Sequence, residues 1–166
     1  AAIDRIARPD AIFASNTSSL SITALAGAAG RPERVVGMHF FNPAPVMPLV
    51  EVVPGRRTAP EVLTEATALA RALGKTPVVA RDTPGFIVNR IARPYYIEAL
   101  RLLAEGVVSV EEIDRIMRLA GGFRMGPFEL LDLIGLDVNL AVTLSIYDAF
   151  FQEPRYRPHP LQEQMV

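Results

Sequence analysis

A chain of 166 residues, half of them hydrophobic, is long enough to bury one substantial core or two small ones and too apolar for a disordered tail. Its 17 basic and 18 acidic side chains leave a net charge of −1, so there is no global electrostatic basis for binding nucleic acid or an anionic membrane. The absence of cysteine excludes disulfides, thiolate catalysis and cysteine-ligated metal, and two histidines are too few for a protein-only zinc site; a cytoplasmic enzyme is compatible with both.

Residues 1–8 read as the end of a helix. After Pro9 and Asp10, AIFAS predicts a short buried strand, and SNTSSLS makes its exit polar. ITALAGAAG predicts a short helix closing near Gly30. VVGMHFF is the next strand, and the prolines of its exit, NPAPV, discourage both helix and central-strand pairing. LVEVV is a third strand, GRRTAPEVLTEATALARALG a connection and helix ended by Gly74, and PVVARD a fourth strand. Strands alternating with helices predict an α/β layer.

The composition changes near residue 82. In DTPGFIVNRIARPYYIEALRLLAEG, Thr83 as N-cap and Pro84 just inside predict the start of a long apolar-periodic helix that Pro94 should bend or break. SVEEIDRIMRLAGG begins with Ser109 before acidic residues and stops at glycines, as a short capped helix does. MGPFELLDLIGLDVNLAVTLSIYDAFF supplies at least two further helical pieces separated around Gly135, and RYRPHPLQEQMV reads as a turn leading into another helix. The expected organisation is an α/β lobe over residues 1–81 and a helical lobe over 82–166. No apolar run is long enough to cross a membrane, and the start lacks the basic, apolar and cleavage segments of an export signal. An alanine-rich start without methionine suggests a piece of a longer chain.

On an extended LVEVV, Glu51 projects with Leu49 and Val53, so its carboxylate lies among residues expected to leave water. Such a charge needs a cation, hydrogen bonds or a proton. His39 is near the end of the preceding strand, and sheet pairing can bring the two together. A histidine accepts a proton near neutral pH, and a carboxylate on its other ring nitrogen selects the tautomer and stabilises the protonated ring. Plainer readings stand beside this one: a buried polar pair that only satisfies itself, a structural His39, or a Glu51 that meets solvent from an edge strand. Ser18 and Ser19 can orient a substrate oxygen or cap a helix. Asn16 and Asn42 can donate amide hydrogen bonds to ligand oxygens or shape turns. Asn89, inside the first helix of the second lobe, either presents its amide to a ligand or is satisfied within the helix. A serine hydrolase is the weaker enzyme alternative, since SNTSS is not a G-x-S-x-G elbow.

FASNTSSLSIT, VVGMHFFNPAPVMPLVEVV, DTPGFIVNR and MGPFELLDLIGLD, in that order, resemble the L-3-hydroxyacyl-CoA dehydrogenase family over nearly the whole chain. The resemblance implies a partial Rossmann-type lobe followed by a mostly α-helical dehydrogenase carboxyl-terminal domain. It implies an NAD-dependent oxidoreductase of fatty acid metabolism that interconverts L-3-hydroxyacyl-CoA and 3-ketoacyl-CoA, assembled as a homodimer. It carries the catalytic histidine to His39 and its orienting glutamate to Glu51. Ser18 matches a residue near the reacting oxygen and nicotinamide, Asn89 the active-site asparagine of the second lobe, and Asn42 an asparagine near substrate and cofactor. Asn16 joins Ser18 and Asn42 as an expected cofactor contact. Gly27, Gly30 and Gly37 do not supply the glycine-rich phosphate turn of a Rossmann domain. The expectation is therefore a fragment lacking the first part of the NAD-binding domain, with NAD held by the complete protein. Pro48 stands where the family motif commonly carries lysine. The alternatives are a noncatalytic homo-oligomerisation or acyl-CoA-binding module, and a sugar-acid dehydrogenase of related architecture.

Overall fold

In the computed structural model, which describes residues 2–166, the alternation of the apolar runs becomes a sheet with two dissimilar faces. After a short helix α1 (Ala2–Ile6), strands β1 (Phe13–Ser15), β2 (Val35–Phe40), β3 (Leu49–Pro54) and β4 (Thr76–Val79) pair side by side in that order. β1 with β2 and β3 with β4 are parallel, and β2 with β3 is antiparallel. One face presents Val36, Met38, Val50 and Val52 to Val62, Ala66 and Ala70 of α3 (Pro60–Ala72). The other presents Val35 and Val53 to Ile22 and Ala26 of α2 (Ile22–Gly27), together with Ala80 and Phe86. Burying each such valine or isoleucine contributes about 1.5–3 kcal/mol before the entropy of ordering is subtracted. Gly37 is what lets α2 approach, because a Cβ there would lie 2.9 Å from Ile22 Cδ1 and 3.0 Å from Val53 Cβ.

Contacts divide the chain into two compact units, Ala1–Ile87 and Val88–Val166. The first is the α/β layer. The second is helical throughout, with α4 (Val88–Ala104), α5 (Val110–Leu119), α6 (Pro127–Ile134), α7 (Leu136–Ala149) and α8 (Pro160–Gln164). Its core gathers Tyr96, Ala99 and Leu100 of α4, Ile113 of α5, and Phe128 and Leu131 of α6. α5 starts with the expected reciprocal cap, Ser109 Oγ accepting from Glu112 N at 3.3 Å and Glu112 Oε2 accepting from Ser109 N at 3.0 Å. Gly135, at φ +94°, turns the chain by 99° between α6 and α7. Among the described residues no single helix is long and apolar enough to cross a membrane.

Two local expectations are corrected, and of the bend or break expected at Pro94 the break does not occur. α2 stops at Gly27 rather than near Gly30, because Asp4 takes the Gly30 N–H at 2.6 Å and the Arg31 Nε at 2.8 Å and draws the chain off the helical path. α4 begins at Val88 and not at Thr83 and Pro84. Gly85 and Phe86 adopt φ of +72° and +46°, left-handed values through which a helix cannot run, and Phe86 N donates to Thr83 O in a tight turn instead. Pro94 lies inside α4 without breaking it. Its ring removes only the bond to Arg90 O, while the buried Arg93, Tyr96 and Ile97 hold the helix on either side.

Candidate active site

His39 and Glu51 face each other across the antiparallel β2–β3 ladder. The two-residue period of a strand puts His39 on the same side as Val35 and Gly37, and Glu51 on the same side as Val53, so both side chains share the α2 face. His39 Nδ1 lies 2.7 Å from Glu51 Oε2, with the histidine 4% and the glutamate 1% exposed. Glu51 sits on an interior strand, paired with β2 on one side and with Val78 of β4 on the other, which removes the edge-strand reading. Its second oxygen, Oε1, accepts the Ile87 N–H at 2.9 Å. A carboxylate accepts only, so the imidazole proton facing it belongs on Nδ1 and Nε2 is left as the acceptor of the neutral ring. Phe41 lies against the imidazole at 4.5 Å between ring centroids, and Phe86 meets it edge-on at 5.8 Å.

The turns at the exits of β1 and β2 hold Asn16, Ser18 and Asn42, three of the other expected residues. Asn16, at the exit of β1, accepts the Phe40 N–H at 2.9 Å through Oδ1 and ties that exit to the end of β2. Its amide oxygen is thus committed to the backbone, leaving Nδ2 as the donor for a ligand. Ser18 and Ser19 follow in the turn before α2, at the end of the parallel β1–β2 pair that carries His39. Asn42 opens the turn after β2, in a cis bond to Pro43. The ammonium of Lys75 fastens this turn by donating to Ala44 O at 2.6 Å, Met47 O at 3.0 Å and Pro45 O at 3.2 Å. Asn89 is the second residue of α4 in the helical unit, where its carbonyl accepts from Arg93 Nε at 3.2 Å and its Oδ1 from Arg93 Nη2 at 3.4 Å.

The N-terminus of α2 is already supplied with an anion. Asp82 Oδ1 accepts the Ile22 N–H at 2.9 Å, and Oδ2 accepts the Thr23 N–H at 2.7 Å and the Ser21 hydroxyl at 2.9 Å. Burial by itself raises the pKa of Asp82, but the bonds from Thr23, Ile22 and Ser21 together outweigh it and hold the group below the usual carboxylate range. That helix end therefore does not serve a ligand phosphate. The polar strand exits bearing Asn16, Ser18 and Asn42 do fit the reacting end of a dinucleotide, since α/β sheets take ligands at the carboxyl ends of parallel strands. Among the described residues no group of three or more His, Cys, Asp or Glu could hold a metal ion.

Sequence reasoning passed over Asp82, Lys75, the Ile87 amide and Arg93. The first three act on partners 28 to 61 residues away and leave no local signature. Arg93 had one: it occupies the stripe it shares with Tyr96, Ile97 and Leu100, where a charge is out of place.

Two family models match the chain: the NAD binding domain of 3-hydroxyacyl-CoA dehydrogenase over residues 1–83 and the C-terminal domain of 3-hydroxyacyl-CoA dehydrogenase over residues 85–166. The expectation of only partial domains is corrected, since models of both the NAD binding domain and the C-terminal domain match and together take in residues 1–83 and 85–166. The 3-hydroxyadipyl-CoA dehydrogenase of Escherichia coli K12 is 54% identical over 166 residues, which are 100% of this chain and 35% of that protein. The mitochondrial hydroxyacyl-coenzyme A dehydrogenase of Homo sapiens is 46% identical over 99% of this chain and 52% of its own length. The crystal structure of (S)-3-hydroxybutyryl-CoA dehydrogenase from Ralstonia eutropha superposes with a TM-score of 0.94 at 47% identity, covering 99% of this chain and 58% of that one. The chain spans 35% to 58% of the length of these three relatives.

Proposed function

The chain belongs to the 3-hydroxyacyl-CoA dehydrogenase family, and from that premise we propose that the protein interconverts L-3-hydroxyacyl-CoA and 3-ketoacyl-CoA with NAD. The supporting observation is the buried 2.7 Å pairing of His39 with Glu51. NAD supplies the hydride acceptor for the carbinol carbon. His39 Nε2 takes the proton of the 3-hydroxyl as that carbon is oxidised, and in the reverse direction the protonated ring returns it. Glu51, held by the Ile87 N–H, keeps Nδ1 protonated and stabilises the imidazolium that forms. Phe41 and Phe86 fix the ring and keep water from its flanks.

The remaining assignments come from the family resemblance. Ser18 and Asn89 align the reacting oxygen and favour charge on it, and Asn16 and Asn42 contact the cofactor and substrate near the reacting carbon. Homodimerisation and a cytoplasmic location belong to the same proposal, and sedimentation and cell fractionation test them. The activity is tested by NADH formation from L-3-hydroxyacyl-CoA. Substrate-dependent reduction of NAD that is lost in a folded His39→Gln variant is expected; a wild-type protein that reduces no NAD with any such substrate overturns the reading.

A further inference from the structure

Because β2 runs antiparallel to β3, the sheet has strand exits at both of its ends. Those of β1 and β2 lead to Asn16 and Asn42 at the end that holds His39, while β3 and β4, parallel to each other, exit at the opposite end. There Pro54 pairs with Val36, three residues and about 10 Å along β2 from His39. A second cleft of about 520 Å³ opens at that end. Its walls include the turn after β3, bearing Arg56, and the turn after β4, bearing Arg81 and Thr83. The carboxyl ends of parallel strands are where α/β sheets take ligands, and a cleft of this size admits a small molecule.

Both turns are fixed by hydrogen bonds, but the cations they carry are not. Arg56 N donates to Thr23 Oγ1 at 3.0 Å, Gly55 N donates to Thr58 Oγ1 at 2.8 Å, and that hydroxyl donates to Val35 O at 2.6 Å. Gly55 permits the close approach to α2, since a Cβ on it would lie 3.1 Å from Thr23 N. Across the cleft, Ala80 N donates to Val52 O at 2.9 Å and Thr83 N to Arg81 O at 2.8 Å. The guanidinium groups of Arg56 and Arg81 and the hydroxyl of Thr83 have no hydrogen bond or ion pair among the described residues. Arg31 of the same unit, by contrast, is bound to Asp4 at 2.8 Å. Asp82 also lines the cleft, but both its oxygens accept from Ser21, Ile22 and Thr23. Two unmatched cations beside one matched carboxylate leave the cleft electropositive.

The geometry points to a binding site for a diphosphate group, held by Arg56 and Arg81 and carried either by free pyrophosphate or by a nucleoside diphosphate. A guanidinium presents paired N–H donors that match two phosphate oxygens, so two arginines on separate turns match the two phosphoryl groups. Thr83 adds a hydroxyl donor. Val79, 52% exposed in the same wall, offers an apolar surface to a nucleoside. The amides of α2 take no part, since Asp82 already occupies them. This site is separate from His39 and does not rest on the dehydrogenase proposal.

Titration of the whole ¹⁵N-labelled protein with pyrophosphate and, separately, with ADP tests it by NMR. The salt is set at about 0.15 M, where attraction between exposed charges is largely screened beyond about 8 Å. Saturable shifts of the Gly55, Arg56, Arg81 and Thr83 amides are expected. Arg56→Gln and Arg81→Gln should each weaken binding about tenfold, a usual loss for a hydrogen bond to a charged group. Arg71→Gln, which removes an exposed arginine of α3 on the other face of the sheet, should leave binding unchanged. Tighter binding of ADP than of pyrophosphate assigns the site to a nucleotide, and equal or weaker binding of ADP assigns it to free diphosphate. The proposal is overturned by the absence of saturable shifts at those four amides or by shifts confined to the turns bearing Asn16, Ser18 and Asn42. An equal loss of binding in Arg71→Gln and in the two cleft variants overturns it as well.

Discussion

Replacing Glu51 by glutamine tests the paired histidine with almost no change of shape. The Ile87 N–H still needs an acceptor at 2.9 Å, so the glutamine oxygen takes that position and its NH₂ turns toward His39. Nδ1 must then accept, which moves the ring proton to Nε2 and removes the lone pair that receives the substrate proton. At 2.7 Å and an effective dielectric of about 20, the lost attraction between imidazolium and carboxylate is at most about 6 kcal/mol. A wrong-tautomer substitution in another histidine–carboxylate pair costs roughly 10⁴-fold. A fall in kcat of about 10³–10⁴-fold, equivalent to about 4–5.5 kcal/mol, stays within the electrostatic limit. The assay is steady-state NADH formation at saturating substrate, with circular dichroism showing that the variant is folded. A folded Glu51→Gln protein whose kcat stays within tenfold of wild type would mean that Glu51 does not set the tautomer of His39.

Asp82→Asn removes the anion from the start of α2 and should cost about 0.5–2 kcal/mol, read from urea denaturation at neutral pH. Because the folded-state pKa of Asp82 is lowered, its stabilising contribution is fully present above the ordinary carboxylate value and is lost as pH falls through the lower folded value. Wild-type Tm should therefore drop more steeply than that of the variant below about pH 4; parallel acid profiles would count against this role. Lys75→Met leaves the carbonyls of Ala44, Pro45 and Met47 without their shared cation. Hydrogen exchange at Val46 and Met47 should quicken while β2 and β3 remain protected, with a stability loss of about 1–2 kcal/mol. Unchanged exchange in that turn would mean that Lys75 does not hold it.

The parts of the fold visible in the sequence were those whose cause is local. The period of two in LVEVV already put Glu51 on the face of Leu49 and Val53, and the antiparallel pairing of β2 with β3 then put His39 opposite it. Ser109 and Glu112 form their cap because both partners lie within one turn. What escaped depends on distant atoms or on backbone angles that composition does not reveal. Thr83 and Pro84 look like a helix start, yet the left-handed Gly85 and Phe86 delay α4 and leave the Ile87 amide for Glu51. α2 ends early because a side chain 26 residues away, Asp4, claims Gly30. The neutral acceptors around Arg93 are supplied by α7, 46 and 50 residues further on, so the position of the charge was legible and the absence of a counter-ion among the described residues was not.

In the proposed mechanism Glu51 holds the proton of the neutral His39 ring on Nδ1 and leaves Nε2 to receive the substrate proton. Long-range proton–nitrogen NMR tests it directly, at a pH where the ring is neutral, and His159→Gln isolates the signal because the chain has only 2 histidines. A protonated, pyrrole-type Nδ1 and a bare, pyridine-type Nε2 are predicted. The opposite tautomer in the folded protein would contradict the account.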